Sequence, residues 1–546
     1  MNSASPFRES YASGPDFDLC EQPTHHVLAD TAGRFPDRDA LIVRHQGIRL
    51  TWSQLHAEVD RTALALLALG LAPGDRVGVW ATNCAEWVYL QLACACAGVV
   101  QVNVNPAYRS HELAYVLDKS GMKALFLRAC DARSNYRQLL EEATAGRDFA
   151  LRHVVYLGEE SWDRFIDATI GGGRPESPSD PHSVVNIQYT SGTTGFPKGV
   201  LLTHRNLINN GRVIVHGLRT TEHDRICVPV PLYHCFGCVA GTMTSISTGA
   251  CMILPSASFD PLATMQAIHD ERATVIYGVP TMFIAQLNHP EFSIFDFSSL
   301  RTGIMAGAPC PIEVMKRVVA DMHCPQMTIG YGQTEASPII TLAGVDDPLE
   351  QRVTTIGASC PATEVKIVRP DGSIAAIGEQ GELCARGYLV MKGYDNDPAA
   401  TAKAVDDEGW LHTGDLASMR PDGYFHITGR LKDMIIRGGE NIYPREIEEF
   451  FHTHPDVADV QVVGVPDDKF GEVAAVWIRL KPSASATELQ FREFCDGRIA
   501  HYKIPQYFRF IDAFPMTVTG KIQKFKMRER EIAERRLESA AQIRTA

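Results

Sequence analysis

The segment Val184-Val-Asn-Ile-Gln-Tyr-Thr-Ser-Gly-Thr-Thr-Gly-Phe-Pro-Lys-Gly199 decides how the rest of the chain is read. Its first six residues have the apolar, β-branched character of a buried strand. The next ten hold three glycines, four hydroxyls and one lysine. Glycines let backbone N–H groups face an anion without obstruction from Cβ. Thr190, Ser191, Thr193 and Thr194 can donate to phosphate oxygens, and Lys198 adds a point charge. The stretch Thr190, Ser191, Gly192, Thr193, Thr194, Gly195, Phe196, Pro197, Lys198 therefore predicts a phosphate-binding loop. It is not a Walker A loop, because Phe196 and Pro197 separate Gly195 from Lys198. A helix is expected from about His204.

Upstream, strand-like and helix-like segments alternate. Strands are expected at 76–80, 99–104, 124–127 and 154–157, with a helix over 86–97. This βαβ rhythm predicts α/β layers with a largely parallel sheet. Residues 171–181, rich in Gly, Pro and Ser, read as a linker. Downstream, 357–386 changes to short β-segments separated by Asp371-Gly372 and Gly378 turns. After Gly429 a helix over 446–454 and strands at 460–465 and 473–480 predict a compact α+β unit. The Lys, Arg and Glu run at 524–541 reads as a helix with a solvated face. The expected organisation is a flexible N-terminus over 1–25 and a large, parallel-rich α/β domain over 26–431. A small β-rich subdomain at about 345–428 lies within it, and a small mobile α+β domain spans 432–546.

The chain has 546 residues, 45% of them hydrophobic and 21% charged. That is an ordinary globular balance for three or four domains or subdomains. With 65 acidic against 52 basic residues the net charge is −13, which argues against general nucleic-acid binding. No apolar run reaches the length of a membrane span, and 88–100 suits a buried core helix. The polar N-terminus has no signal-peptide core. Glu9, Asp16 and Asp18 argue against a mitochondrial leader, and Arg544-Thr545-Ala546 is no peroxisomal address. A cytoplasmic location is expected. Fourteen scattered cysteines read as reduced, buried thiols. Cys235 and Cys238 form one Cys-x-x-Cys, but no second ligand pair for zinc accompanies it.

The glycine- and hydroxyl-rich loop resembles the phosphate-binding signature of the adenylate-forming superfamily, which includes acyl-CoA synthetases, peptide-synthetase adenylation domains and luciferases. Four further segments agree in order: Gly330-Tyr-Gly-Gln-Thr-Glu335, Trp410-Leu-His-Thr-Gly-Asp415, Gly429-Arg-Leu-Lys-Asp433 and Pro515-Met-Thr-Val-Thr-Gly-Lys521. The five are spread over more than three hundred residues. Within the superfamily the chain most resembles medium-chain acyl-CoA synthetases. The segments behind that are Val102-Asn-Val-Asn-Pro-Ala-Tyr108, Pro231-Leu-Tyr-His-Cys-Phe-Gly237 and Met434-Ile-Ile-Arg-Gly-Gly-Glu-Asn-Ile-Tyr443.

The resemblance implies an ATP- and Mg²⁺-dependent ligase that makes acyl-CoA, AMP and pyrophosphate through an acyl adenylate. ATP and CoA are co-substrates, the partners are small molecules, and a homodimer is allowed. It implies that Lys521, Thr334, Glu335 and His234 are catalytic. Tyr331 faces adenine, Asp415 and Arg430 hold the ribose, and Lys521 reaches the ATP site. Glu335, with Thr190, is the Mg²⁺ ligand. Lys432 is the hinge, and Arg437, Gly438, Gly439 and Glu440 meet CoA. His234, Phe236, Val279 and Gly307 line the acyl pocket. Two alternatives remain open. One is an aryl- or other carboxylate-CoA ligase with the same chemistry, and the other a non-catalytic nucleotide- or acyl-binding homologue.

Overall fold

The structure, a computed structural model, describes residues 7–168, 180–190, 197–308, 310–437, 440–467, 469–482, 484–496, 498–499, 501–517 and 521–537. The side chains of Lys432, Glu440 and Asn441 lie outside that description, as do residues 191–196, 438–439 and most of the 171–181 linker. The chain divides into two compact units. One is Ala12–Val365 with Ala385–His412; the other holds the described residues of Met1–Tyr11, Lys366–Cys384 and Thr413–Ala546. This division falls elsewhere than the 431/432 boundary read from the sequence, because Lys366–Cys384 and Thr413–Arg430 group with the C-terminal residues.

The larger unit is built on two sheets. One has seven strands, in the order Gly393–Tyr394, Lys198–Thr203, Val184–Thr190, Val100–Asn103, Arg76–Trp80, Ala124–Leu127, His153–Tyr156. The last five run parallel, and Lys198–Thr203 turns back antiparallel to Val184–Thr190. The expected α/β alternation is thus present. Every residue of helix Ala85–Ala97 is buried, as expected for an apolar stretch with no polar stripe. The second sheet has nine strands. Six of them, Gln326–Gly332, Thr302–Met305, Val275–Gly278, Arg225–Cys227, Cys251–Leu254 and Asp39–Val43, are parallel neighbours in that order. Among the described residues no helix is long and apolar enough to cross a membrane.

In the smaller unit, Val457–Asp467 and Gly471–Leu480 form a long antiparallel hairpin, and Tyr507–Phe510 adds in parallel. Val473, Ala475 and Trp477 face a core with Phe514 and Met527, while Ala474, Val476 and Ile478 face another with Phe451, Phe491 and Phe508. Burial on both faces explains why this strand is apolar without alternation.

Two expectations are corrected. Residues 7–25 are not a loose leader. Ser10 is buried and its N–H donates to Ala375 O at 2.9 Å, Tyr11–Ser13 is a strand, and Arg212 donates to Asp18 O at 2.7 Å. The charged C-terminal helix, Lys524–Arg535, stops earlier than read and is not wholly solvated. Glu531 is fully buried and is paired with both Arg509 and Arg535. Burial alone would push this carboxyl up, but the two guanidiniums hold it below the usual range. A paired charge can stay inside where an isolated one cannot.

Helix His204–Leu218 opens with a reciprocal cap, in which Thr203 Oγ1 accepts from Asn206 N–H and Asn206 Oδ1 from Thr203 N–H. The His204 ring is buried, and its Nδ1 accepts the Thr24 N–H at 3.2 Å. That bond requires a neutral ring. Burial, with His25 nearby, pushes the His204 pKa down to about 3. The unfolded chain binds this proton near pH 6.5, so stability is full above that value and falls as pH drops through the window between 6.5 and 3. Urea midpoints at stepped pH should show a loss approaching tenfold in the folding equilibrium per pH unit from this group. His204→Asn should flatten the profile, and an equally steep one would show that His204 does not cause it.

Candidate active site

In an open α/β sheet the loops at the carboxyl ends of parallel strands form the ligand-binding edge. Strands Val275–Gly278, Thr302–Met305 and Gln326–Gly332 are neighbours, with Gly278 opposite Met305 and Met305 opposite Ile329. Their carboxyl ends therefore emerge together. From them come Val279, Gly307 and the segment carrying Tyr331, Thr334 and Glu335. The chain folds back sharply after Gly332, where a Cβ would sit 1.7 Å from Pro338 O. Only glycine fits there, and the turn Thr334–Ala336 follows at once.

The acyl-pocket candidates join this edge. Thr334 is buried, and its Oγ1 is 3.7 Å from Cys235 Sγ, which ties the 231–237 segment to the 330–335 segment. His234 Nδ1 accepts the Phe236 N–H at 3.2 Å, which leaves that nitrogen unprotonated. Phe236 is buried and stacks on Tyr277 with ring centroids 5.8 Å apart. Val279 caps helix Pro280–Leu287, and Gly307 has φ +84°, a conformation other residues avoid. Cys238 lies fully buried in a π-helical stretch, Phe236–Met243, and accepts from Gln188 Nε2 at 3.3 Å.

Thr190 ends strand Val184–Thr190 and pairs directly with Lys198, so the two ends of the candidate phosphate loop come together. Thr190 Oγ1 donates to Lys198 O at 3.4 Å. Pro197 is half-buried, and Ser191, Gly192, Thr193, Thr194, Gly195 and Phe196 lie outside the described residues. Lys198 Nζ sits 4.9 Å from the centroid of the Tyr394 ring. The Tyr394 hydroxyl donates to Glu335 Oε1 at 2.9 Å. Burial and the Glu335 charge push this phenol far above its ordinary value, so it stays a donor. Sequence reading missed Tyr394, because it stands 59 residues from Glu335 with no spacing to link them.

The smaller unit carries the remaining candidates. Asp415 and Arg430 face each other across the antiparallel strands Leu411–Met419 and Phe425–Arg430. Arg430 Nε is 2.9 Å from Asp415 Oδ1; the carboxylate is 8% exposed and the guanidinium 52%. Lys521 is joined to Thr517 by two hydrogen bonds, Thr517 N–H donating to Lys521 O at 2.7 Å and Lys521 N–H to Thr517 Oγ1 at 3.0 Å. Three residues on, Lys524 pairs with the buried Glu448 at 2.6 Å, which also accepts the Val462 N–H. Arg437 lies over the Phe470 ring at 4.1 Å. Gly438 and Gly439 and the side chains of Lys432 and Glu440 are outside the described residues.

Known proteins resemble this chain in sequence and in fold. The AMP-binding enzyme family matches residues 28–395, and the AMP-binding enzyme C-terminal domain matches 446–521. YngI of Bacillus subtilis, provisionally named an acyl-CoA synthetase, is 48% identical over 540 residues, covering 94% of this chain and 98% of its own. The mitochondrial medium-chain acyl-CoA ligase ACSF2 of Rattus norvegicus is 43% identical over 549 residues, covering 95% and 89%. Among solved structures, ATP-bound MatB from Rhodopseudomonas palustris superposes with TM-score 0.83 at 29% identity, over 93% of this chain and 99% of that one. The anthranilate CoA ligase AuaEII in complex with anthranoyl-AMP gives 0.85 at 26%, over 94% and 98%. Matched in both of its parts, and over nearly its whole length by relatives above 40% identity, the chain belongs to the AMP-binding enzyme family.

Proposed function

We propose that this acyl-CoA ligase acts on medium-chain aliphatic acids, using ATP and Mg²⁺ and passing the acyl group to CoA in the cytoplasm as a step of fatty-acid metabolism. The observation that carries the adenylation site is the convergence of Thr190, Lys198, Thr334 and Glu335 on strand carboxyl ends, with Lys198 and Glu335 both held by Tyr394. The aliphatic class is supported by the 43% identity to ACSF2 and by the apolar Phe236 and Val279. An aryl acid is the second reading, favoured by the 0.85 superposition on AuaEII.

A carboxylate is ionised at neutral pH, so its attack on the α-phosphorus needs no general base. The oxygen–phosphorus bond forms as pyrophosphate leaves. The protein's task is to neutralise phosphate charge and hold the reactants in line. In this reading Lys198 and the loop at 190–197 hold phosphates, Thr334 donates to the α-phosphate, and Tyr331 offers its ring to adenine. Asp415 accepts from the ribose hydroxyls with Arg430 beside it. Glu335 and Thr190 present hard oxygen donors, which suit Mg²⁺; Oε1 of Glu335 is already hydrogen-bonded, as metal-binding carboxylates are. When bound, Mg²⁺ would supply charge neutralisation at the phosphates. Lys521 bridges the carboxylate and α-phosphate as charge develops. Rotation of a domain spanning 432–546 about Lys432 then brings Arg437, Gly438, Gly439 and Glu440 to the thioester site, where His234 lies by the acyl group. The thiol sulfur bonds to the acyl carbon, AMP leaves, and the thiol proton passes to solvent.

Lys521→Ala should lower ATP–pyrophosphate exchange by about a hundred- to a thousandfold while sparing thioester formation from supplied acyl adenylate. Equal loss of both would refute the assignment of Lys521 to one half-reaction. AMP release across straight-chain acids from acetate to stearate, with benzoate and 4-coumarate, should peak between hexanoate and dodecanoate and require CoA. Activity confined to the aromatic acids would replace the substrate class, and ATP binding without turnover of any acid would favour a binding protein.

A further inference from the structure

Tyr394 belongs to none of the five motifs, yet it joins two of them. Its backbone lies in the two-residue strand Gly393–Tyr394, which pairs antiparallel with Lys198–Thr203 so that Tyr394 stands opposite Val200. Lys198, two residues from Val200, projects from the same face and is the diagonal neighbour of Tyr394. That register explains why the ammonium reaches the ring. From its other end the phenol reaches the Glu335 carboxylate.

The strap is fixed without help from the phenol. Tyr394 N–H donates to Thr401 Oγ1 at 2.9 Å, and Asp395 N–H donates to Gly199 O at 2.7 Å. The Asp395 side chain, 2% exposed, receives both terminal nitrogens of Arg76 at 2.9 and 2.7 Å. Arg76 also donates to Ser120 O at 2.6 Å. A bidentate guanidinium–carboxylate pair fixes orientation as well as distance. The Met391 N–H in turn donates to the Glu335 carbonyl at 2.9 Å, so backbone contacts already join the strap to the turn that carries Glu335. The hydroxyl is therefore surplus to the fold.

We propose that Tyr394 is a positioning residue for adenylation, aiming the Glu335 carboxylate with its hydroxyl and seating the Lys198 ammonium on its ring, so that the cation ligand and a phosphate-neutralising charge are set as one unit. This rests on the adenylation reading above. A hydrogen bond to one carboxylate oxygen fixes the orientation in which the group meets a cation, and losing such a partner typically weakens metal affinity about ten- to a hundredfold. The ring contributes through its negatively polarised face, which attracts an ammonium. The two contributions are separable. Tyr394→Phe removes the first and keeps the second, and Tyr394→Leu removes both.

The test uses the full chain with Mn²⁺ and α,β-methylene-ATP, reading free Mn²⁺ by electron paramagnetic resonance and nucleotide binding by calorimetry at saturating metal. Tyr394→Phe should weaken Mn²⁺ binding about tenfold or more with nucleotide affinity and melting temperature unchanged. Tyr394→Leu should in addition weaken nucleotide binding several-fold. Unchanged Mn²⁺ affinity in Tyr394→Phe would overturn the proposal, as would a loss that tracks a lowered melting temperature. Glu335→Gln separates the two levels. If it retains wild-type Mn²⁺ affinity, the adenylation-site reading itself fails; if it loses affinity while Tyr394→Phe does not, only the role of the tyrosine fails.

Discussion

Parallel strands impose a constraint that antiparallel ones do not. Members of a parallel run that pair with one another are joined by crossovers rather than hairpins, so every strand in the run points its carboxyl end to the same edge. In the larger unit two sheets carry such runs, one of five strands and one of six. The loops leaving those ends can be polar, glycine-rich or sharply folded without disturbing the layers below. Thr190, Val279, Gly307 and the 330–335 segment all occupy such positions.

Several buried carboxylates pair with a cation distant in sequence, Glu531 having a second partner in its own helix. Arg76 holds Asp395, Arg301 holds Asp224, Lys524 holds Glu448, and Arg509 with Arg535 holds Glu531. In each the carboxylate is nearly or wholly buried and the cation more exposed. Arginine and lysine can bury an aliphatic stem while keeping part of the head near water, which lowers the cost of desolvating the pair. These pairs are better understood as fixing geometry than as adding stability. Removing one partner would leave an uncompensated charge inside.

Local signals made much of the fold legible. Strands at 76–80, 124–127 and 184–190 and helices Ala85–Ala97 and His204–Leu218 stand where apolar runs, turn glycines and a capping residue place them. The candidate loop at 190–198 and the 330–335 segment stand out in the sequence because the residues that suggest their chemistry are consecutive; 191–196 lie outside the described residues. What could not be read depends on partners far away. Glu531 looks solvated until Arg509 is known to face it, and Ser10 looks loose until Ala375 receives its N–H. Tyr394 is the same case at the candidate site, an ordinary strand tyrosine until the fold brings Lys198 and Glu335 to either end of it.

Lys521 and Lys524 stand three residues apart, and the second of them closes a buried pair. Lys524 is spent on anchorage, its ammonium fixed to a carboxylate that also caps the Val462 amide. The Lys521 backbone is tied to Thr517, whose N–H donates to Lys521 O and whose Oγ1 accepts the Lys521 N–H. Acylating Lys524 would take away the charge that offsets the carboxylate and leave Glu448 buried without its cation.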